Sequence, residues 1–197
     1  MPDSYLDQPV RTFIDSLAAG TPAPAGGSAA ALVVAQSAAL GAMTARLSAR
    51  QLTAERVKQL IFQGENIARA AAALIDLDAQ AYLRVLKATQ AARAAVPGTP
   101  GTEPAVAAAL SDAADVPMRM VELAVQSARL GRELAADGNQ TLRGDAITAC
   151  LLAHAGARAA AALVRINLAS ANTVPSDPRL ARLDELLAEI AELDSFC

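Results

Sequence analysis

The stretch TPAPAGGSAAALVVAQSAALGAM, residues 21–43, decides the fold class, because a turn of prolines and glycines leads directly into a long uncharged run. Alanine and leucine dominate this run, and both residues favour helix over strand. The whole chain shares the bias, with 53% hydrophobic residues but only 3% aromatic residues and no tryptophan. We therefore predict an all-α protein that forms one helical domain over residues 1–197.

Start and stop signals predict five to six helices. The first covers residues 10–19, and the second begins at Ser28, whose hydroxyl we expect to cap the free N–H groups. A third opens at Thr53 and meets no proline until Pro97. A fourth is expected at about residues 104–136, with a kink or break at Pro117. A fifth is expected at about residues 142–170. A sixth is expected from Pro178 onward, with Ser176 or Asp177 as its cap.

The third helix predicts a dimer. If residues 53–90 were continuous, the helix would span roughly 55 Å, which exceeds the diameter of roughly 40 Å expected for a compact monomer. The helix must therefore break near Gly64 or pack against a partner subunit. We favour a homodimer, because the helix carries six large apolar side chains: Leu74, Ile75, Leu77, Leu83, Val85 and Leu86.

Charge and composition exclude several classes of protein. A net charge of −3 is too small and of the wrong sign for a nucleic-acid surface. Residues 21–45 are long enough for a membrane span, but they are rich in Ala, Gly, Ser and Gln, and we see no second span or aromatic belt. The acidic N-terminus does not predict export, and two cysteines form no disulfide framework or metal cluster. We expect a cytoplasmic protein without metal.

A few polar residues within apolar helices are candidates for chemistry. Asp78 and Tyr82 are four residues apart and share a helix face, although a solvated stripe explains them equally well. Asn139 lies in a predicted turn, and Asp145 falls in the first turn of a helix, where a carboxylate is favoured. Helix capping explains both as well.

The loop before the second helix gives the strongest local signal. Pro24 is rigid, Gly26 and Gly27 permit close backbone approach, and Ser28 opens a helix whose positive end attracts a carboxylate or a ring carbonyl. A plain loop and cap is the alternative. No Ser-His-Asp set, zinc-ligand spacing, Walker loop or dinucleotide fingerprint is present.

Four segments, taken in order, resemble the formiminotransferase-cyclodeaminase C-terminal domain family, which includes stand-alone methenyltetrahydrofolate cyclohydrolases. TPAPAGGSAAAL is similar to the glycine-rich loop of the family, and LIDLDAQAYLRVL to its Asp-x-x-Ala-Tyr/Phe helix. ADVPMRMVELA and GNQTLRGDAITAC are similar to its proline-containing helix and its Gly-Asn and Asp segment. One departure is Ala25, which stands where the family usually has the first of three glycines.

The resemblance implies a helical homodimer that binds a reduced folate in a cleft formed with the glycine-rich loop. It implies one of two reactions. A cyclohydrolase hydrolyses 5,10-methenyltetrahydrofolate to 10-formyltetrahydrofolate, and a cyclodeaminase closes the ring of 5-formiminotetrahydrofolate with loss of ammonia. The chain lacks a formiminotransferase domain to supply the formimino group, so we favour the cyclohydrolase. A non-catalytic helical interaction protein is the remaining alternative.

The resemblance also gives the candidate residues roles. Asp78 and Asp145 would stabilise the cationic one-carbon centre, and one of them would be the general base. Tyr82 would donate to the pterin or stack on it, and Asn139 would hold a pterin edge or the one-carbon oxygen. The glutamate tail would meet arginines such as Arg46, Arg50 or Arg93. Pro24, Gly26, Gly27 and Ser28 would line the cleft, and no cofactor beyond the folate substrate is needed.

Overall fold

A computed structural model describes residues 4–96, 101–171 and 177–194 of the chain. These residues form no strand, and the all-α prediction is confirmed. A 3₁₀ turn at Gln140–Leu142 precedes the fifth helix. Ser176, one of the two predicted caps of the last helix, lies outside the described residues. The helices are α1 (Val10–Ala18), α2 (Gly26–Arg46), α3 (Ala54–Ala94), α4 (Thr102–Asp137), α5 (Arg143–Ser170) and α6 (Pro178–Asp194).

Helix α2 lies at the centre of the bundle and packs against α3, α4 and α5. The buried hydroxyl of Ser37 donates to the carbonyl oxygen of Ala149 on α5 over 2.7 Å. It also shares a hydrogen bond of 2.7 Å with the hydroxyl of Ser127 on α4. A polar group this deep in an alanine-rich core needs such partners, and these bonds fix the register of three helices.

Helix α3 is continuous, so the alternative of a break near Gly64, over which we favoured a dimer, does not apply. Its 41 residues span about 61 Å at the standard rise per residue. A Cβ atom at Gly64 would lie 2.9 Å from the Cβ of Ala42 and 3.0 Å from the carbonyl oxygen of Ala38. The glycine thus allows α2 and α3 to approach closely without interrupting the helix. Helix α3 opens after Thr53, close to the predicted start, and the Thr53 hydroxyl caps it by accepting from the Arg56 N–H over 3.2 Å.

The apolar surface that suggested a dimer is partly used within the chain. Leu74 and Ile75 are only 3% and 1% exposed, and both belong to the main core cluster. Leu77, in contrast, is 44% exposed. Leu83, Val85 and Leu86 are half-buried. The dimer therefore stays a prediction that rests on the second half of α3.

Contacts fix the direction of each helix. Gly27 at the start of α2 meets Asp78 of α3, while Gly64 meets the later part of α2, so α2 and α3 are antiparallel. Helix α5 is also antiparallel to α2, because Gly156 packs on Val34 whereas Ala149 meets Ser37. The start of α5 therefore lies near the C-terminal end of α2.

Two local predictions need correction or refinement. Pro117 is buried in α4 but does not end it, since the helix runs from Thr102–Asp137 without interruption. The last helix is capped by Asp177, whose Oδ1 accepts from the Arg179 N–H over 2.9 Å.

The apolar segments also differ from expectation, because a second helical span, Gln140–Ser170, is as apolar as α2. The most apolar stretch is 61% buried in α2 and 50% buried in the span Gln140–Ser170. Such burial within the bundle is typical of core helices.

Candidate active site

The glycine-rich loop enters α2 differently from the sequence prediction. The helix begins at Gly26, two residues earlier than expected, and its N-cap residue is Ala25. The backbone of Ala25 is extended, with a φ of −136°, a conformation that any residue adopts. Alanine in place of the family's glycine therefore introduces no backbone strain. Pro24 is buried just before this turn.

Gly27 brings the backbone of α2 against the carboxyl group of Asp78. A Cβ atom on residue 27 would lie 1.9 Å from Asp78 Oδ1 and 2.3 Å from its Cγ. Such a distance is far below van der Waals contact, so only glycine fits while the carboxyl group stays in place. The neighbouring Gly26 has open space where a Cβ would be.

Ser28 does not cap α2, contrary to the sequence prediction. Its side chain is fully buried and donates to the carbonyl oxygen of Ile75 on α3 over 2.9 Å. Its hydroxyl is also 3.4 Å from Asp78 Oδ2, and its backbone N–H hydrogen-bonds the same carboxyl group. Ser28 thus fastens the first turn of α2 to the segment of α3 that carries Asp78.

Burial raises the pKa of the Asp78 carboxyl above its ordinary value, although hydrogen bonds from the backbone and hydroxyl of Ser28 oppose the shift. Desolvation disfavours the charged form, and it dominates here. A carboxyl group with a raised pKa at the positive end of a helix is suited to accept and release a proton. Tyr82 lies one turn further along the same face of α3 and is 42% exposed.

Asn139 and Asp145 lie at the other end of the bundle. The side-chain amide of Asn139 donates to the carbonyl oxygen of Leu47 over 3.1 Å, and its Oδ1 accepts from the Thr141 N–H over 3.1 Å. Asn139 thus joins the end of α2 to the 3₁₀ turn. The capping alternative accounts for these contacts, and a role in binding substrate stays a prediction.

Asp145 is separated from Asp78 by much of the length of α2. Its neighbour Ala146 contacts Gly131, and α4 meets α2 at Gly41 through Leu130. Along α2, Asp78 therefore lies beside Gly27 and Asp145 lies near Gly41. These two glycines are 14 residues apart, which corresponds to about 21 Å along the helix axis. Within one chain they cannot act on one carbon atom. The carboxyl of Asp145 has no hydrogen bond or ion pair with the part of the chain that the structure describes.

The arginines considered for the glutamate tail are also dispersed. Arg46 forms an ion pair with Glu65 at the C-terminal end of α2. Arg50 is exposed in the following turn, and Arg93 is exposed in the last turn of α3. The structure therefore does not gather them into one cationic site within a single chain.

An N-terminal contact next to the candidate site was not expected from the sequence. Asp76, two residues before Asp78, accepts hydrogen bonds from the Ser4 hydroxyl over 2.6 Å and from the Tyr5 N–H over 2.9 Å. These bonds hold the N-terminal segment against α3. The contact joins residues more than 70 positions apart, so no local pattern indicates it. In the described ranges, no group of three or more His, Cys, Asp or Glu residues could hold a metal ion.

Comparison with known proteins supports the resemblance. The chain is similar to methenyltetrahydrofolate cyclohydrolase of Methylorubrum extorquens, with 30% identity over 193 residues that make up 95% of this chain and 93% of the relative. Its fold matches the crystal structure of formiminotetrahydrofolate cyclodeaminase from Thermotoga maritima, with a TM-score of 0.78 and 24% identity over 96% of this chain and 91% of that one. Residues 9–175 match the sequence profile of formiminotransferase-cyclodeaminase. The chain therefore belongs to the formiminotransferase-cyclodeaminase family.

Proposed function

We propose that this protein is a methenyltetrahydrofolate cyclohydrolase, which hydrolyses 5,10-methenyltetrahydrofolate to 10-formyltetrahydrofolate. The similarity to the M. extorquens cyclohydrolase supports this reaction, because it extends over nearly the whole length of both chains. The structural observation that carries the proposal is the Asp78 carboxyl, which is partly buried against Gly27 and hydrogen-bonded to Ser28. The reaction needs only water and the folate, so no cofactor is proposed.

Asp78 suits the chemistry of this substrate. The methenyl carbon shares a positive charge with the two nitrogens that it bridges, and a carboxylate attracts that cation. Water adds its oxygen to the carbon while Asp78 accepts a proton from it. The hydroxyl of the resulting tetrahedral carbon then loses its proton and becomes the formyl carbonyl as the bond from that carbon to N5 breaks. N5 takes up a proton, and the formyl group stays on N10. We propose that Tyr82, one turn away on the same face of α3, contacts the bound folate.

Formiminotetrahydrofolate cyclodeaminase activity is the second candidate. It passes through a similar tetrahedral carbon between two nitrogens, so the same carboxyl group would serve either reaction. The T. maritima protein of similar fold carries this name, but at 24% identity the likeness shows the fold alone. The greater identity with a cyclohydrolase makes hydrolysis the preferred proposal.

We also propose a homodimer in which each active site uses both subunits. Asp78, Gly26 and Tyr82 lie at one end of the bundle, where Gly26 and Tyr82 are open to solvent. Asp145 lies at the other end without a partner side chain in the described part of its own chain. A two-fold axis perpendicular to α2 would place Asp145 of the partner subunit near Asp78. The exposed side chain of Leu77 on α3 lies close to the proposed contact.

Two assays test the proposed reaction. Purified protein is mixed with 5,10-methenyltetrahydrofolate, and the loss of its absorbance is followed; the assay is then repeated with 5-formiminotetrahydrofolate and ammonia release is measured. We expect turnover of the first substrate that depends on Asp78. A protein that consumes neither folate, while remaining folded, would support the non-catalytic alternative. A cytoplasmic location without membrane or nucleic-acid partners stays a prediction, tested by fractionation of cells that express the protein.

A further inference from the structure

We propose that a cavity beside the glycine-rich loop, here called the N-terminal cavity, binds the pterin ring of the substrate. This inference rests on the proposed function and extends it by assigning one part of the folate to one part of the chain. The cavity has a volume of about 380 Å³ and lies between the N-terminal segment, α1, the loop before α2, and α3. Its lining includes Tyr5, Gln8, Ser16, Thr21, Pro24 and Leu83.

The cavity is connected to the proposed catalytic carboxyl group through the loop before α2. Pro24 lines the cavity and precedes Gly27, which contacts Asp78, by only three residues. On α3, Leu83 lies five residues after Asp78, about 7.5 Å along the helix axis and about 140° around it. The cavity is therefore on a different face of α3 from Asp78, and Pro24 is the lining residue closest in sequence to the Asp78 contact at Gly27. In the proposed binding mode, the pterin lies in the cavity and its one-carbon group extends past Pro24 toward Asp78.

The chemistry of the lining favours the neutral end of a folate. Of the residues that the structure describes, none that lines the cavity carries a charge. Tyr5, Pro24 and Leu83 provide apolar surfaces suited to a flat ring, while Ser16 and Thr21 provide hydroxyl groups. A glutamate tail needs cations to balance its carboxylates. The cavity therefore excludes the tail and suits an uncharged ring with polar edges.

Gln8 gives the cavity a hydrogen-bonding group without a partner. Its side-chain Oε1 is buried, and it accepts no hydrogen bond within the described structure. A buried acceptor in this state is destabilising and calls for an explanation. The pterin ring carries an amino group and a ring N–H, both of which donate, whereas the p-aminobenzoyl carbonyl only accepts. A small rotation of the Gln8 amide into the cavity would let its Oε1 accept a hydrogen bond from one of these pterin donors.

The wall of the cavity is fixed before any ligand binds. Asp76 holds the Ser4 hydroxyl and the Tyr5 N–H at 2.6 and 2.9 Å. The ring of Tyr5 packs edge-on against Phe13 of α1, with the ring centroids 6.0 Å apart. A preorganised wall lowers the entropy that ligand binding must overcome. The same helix, α3, thus supports both the cavity wall and the catalytic carboxyl group.

Replacement of Gln8 by leucine tests the assignment. Gln8→Leu keeps the approximate size but removes the unsatisfied acceptor, so we expect stability to urea that equals or exceeds that of the wild type. We expect KM for 5,10-methenyltetrahydrofolate to rise about tenfold or more, as for the loss of a buried hydrogen bond, with a much smaller change in kcat. Competitive inhibition by 6-methyltetrahydropterin should weaken by a similar factor, and inhibition by p-aminobenzoylglutamate should not change.

A cavity-filling pair provides a second test. Ser16→Phe places a ring in the cavity, whereas Ile14→Phe on the same helix adds a ring at a side chain that is 56% exposed. We expect Ser16→Phe to abolish pterin inhibition and Ile14→Phe to leave it unchanged. Unchanged KM and pterin inhibition in both Gln8→Leu and Ser16→Phe, in a protein that still hydrolyses the folate, would overturn this inference while the proposed function stands. Failure of the wild type to hydrolyse the folate would instead overturn the proposed function.

Discussion

The carboxyl group of Asp78 occupies the space that a side chain on Gly27 would need, since a Cβ atom there would lie 1.9 Å from Asp78 Oδ1. The glycine and the aspartate therefore act as a pair across α2 and α3. The close approach lets the backbone N–H of Ser28 reach the carboxyl group. Glycine at position 27, which lies in the first turn of α2, is thus explained by contact with the proposed catalytic residue.

We predict that Gly27→Ala lowers turnover by at least tenfold without unfolding the protein. The new methyl group must displace the Asp78 carboxyl, and small misplacements of catalytic groups have large kinetic effects. Steady-state kinetics with 5,10-methenyltetrahydrofolate measures the loss. Gly20→Ala is the matched control, because a Cβ atom at Gly20 meets no atom within 4 Å. Normal turnover of a folded Gly27→Ala variant would show that catalysis does not depend on the contact between Gly27 and Asp78.

Stability should depend on the ionisation of Asp78. Burial raises its pKa in the folded protein above the ordinary 3.8, so between these two values the folded state binds more protons than the unfolded state. Its contribution to the free energy of unfolding therefore falls as pH rises through this window. Asp78→Asn removes the buried charge, so we expect it to be more stable than the wild type near neutral pH and to lose this advantage at low pH. Urea unfolding across the pH range measures the difference.

The same variant should lose activity. Asn at position 78 keeps the size of the side chain but cannot accept a proton, so we expect turnover to fall by roughly the hundredfold or more typical of a lost general base. The acid limb of the wild-type pH–rate profile should also lie above the ordinary aspartate pKa, and this limb should be absent from the residual activity of the variant. A residual profile that keeps the wild-type acid limb would assign that limb to another group.

Asn139→Ala should lower the free energy of unfolding by about 1 kcal/mol, as for the loss of a capping side chain. The variant removes the acceptor for the Thr141 N–H and the donor to Leu47. Gln140→Ala is the control, because its amide makes only hydrogen bonds of 3.3 Å. Urea unfolding of the two variants decides the structural role. A rise in KM for the folded Asn139→Ala variant alone would support the predicted contact with substrate.

Much of the fold follows from the sequence because its signals are local. Helix α3 opens after Thr53 as predicted, and a chain rich in alanine and leucine with few aromatic residues indicates an all-helical fold. Local signals are less informative where a contact between helices overrides them. Gly64 offered a break as an alternative but serves close packing on α2, and Ser28 was predicted to cap α2 but bonds to Ile75 of α3.

The candidate site could be predicted only in part. The sequence motifs selected Gly27 and Asp78, which the structure brings into contact. They could not show that Asp145 lies at the far end of α2, because this depends on the directions of the packed helices. They also gave no sign of Asp76, whose partners, Ser4 and Tyr5, are distant in sequence.

The distance between Asp78 and Asp145 makes a shared catalytic centre testable by subunit mixing. If the two side chains serve one site, that site must combine Asp78 of one subunit with Asp145 of its partner. We expect the Asp78→Asn and Asp145→Asn variants each to lose roughly a hundredfold or more in turnover. In a mixed dimer, however, one site carries both substitutions and the other carries neither.

We therefore expect an equimolar mixture of the two variants, dissociated and reassembled together, to regain about one quarter of wild-type activity, because half the dimers are mixed and each has one intact site. The double variant mixed with wild type provides the control: every site in its mixed dimers carries one substitution, so its activity should fall on reassembly from about one half to about one quarter of the wild-type value, whereas the test mixture should rise from near zero. Light scattering must show a dimer for the wild type and for each variant. If reassembled Asp78→Asn and Asp145→Asn dimers stay inactive, the two aspartates do not meet across the interface, and Asp145 must be assigned another role. Near-normal turnover of Asp145→Asn alone would remove that residue from the mechanism.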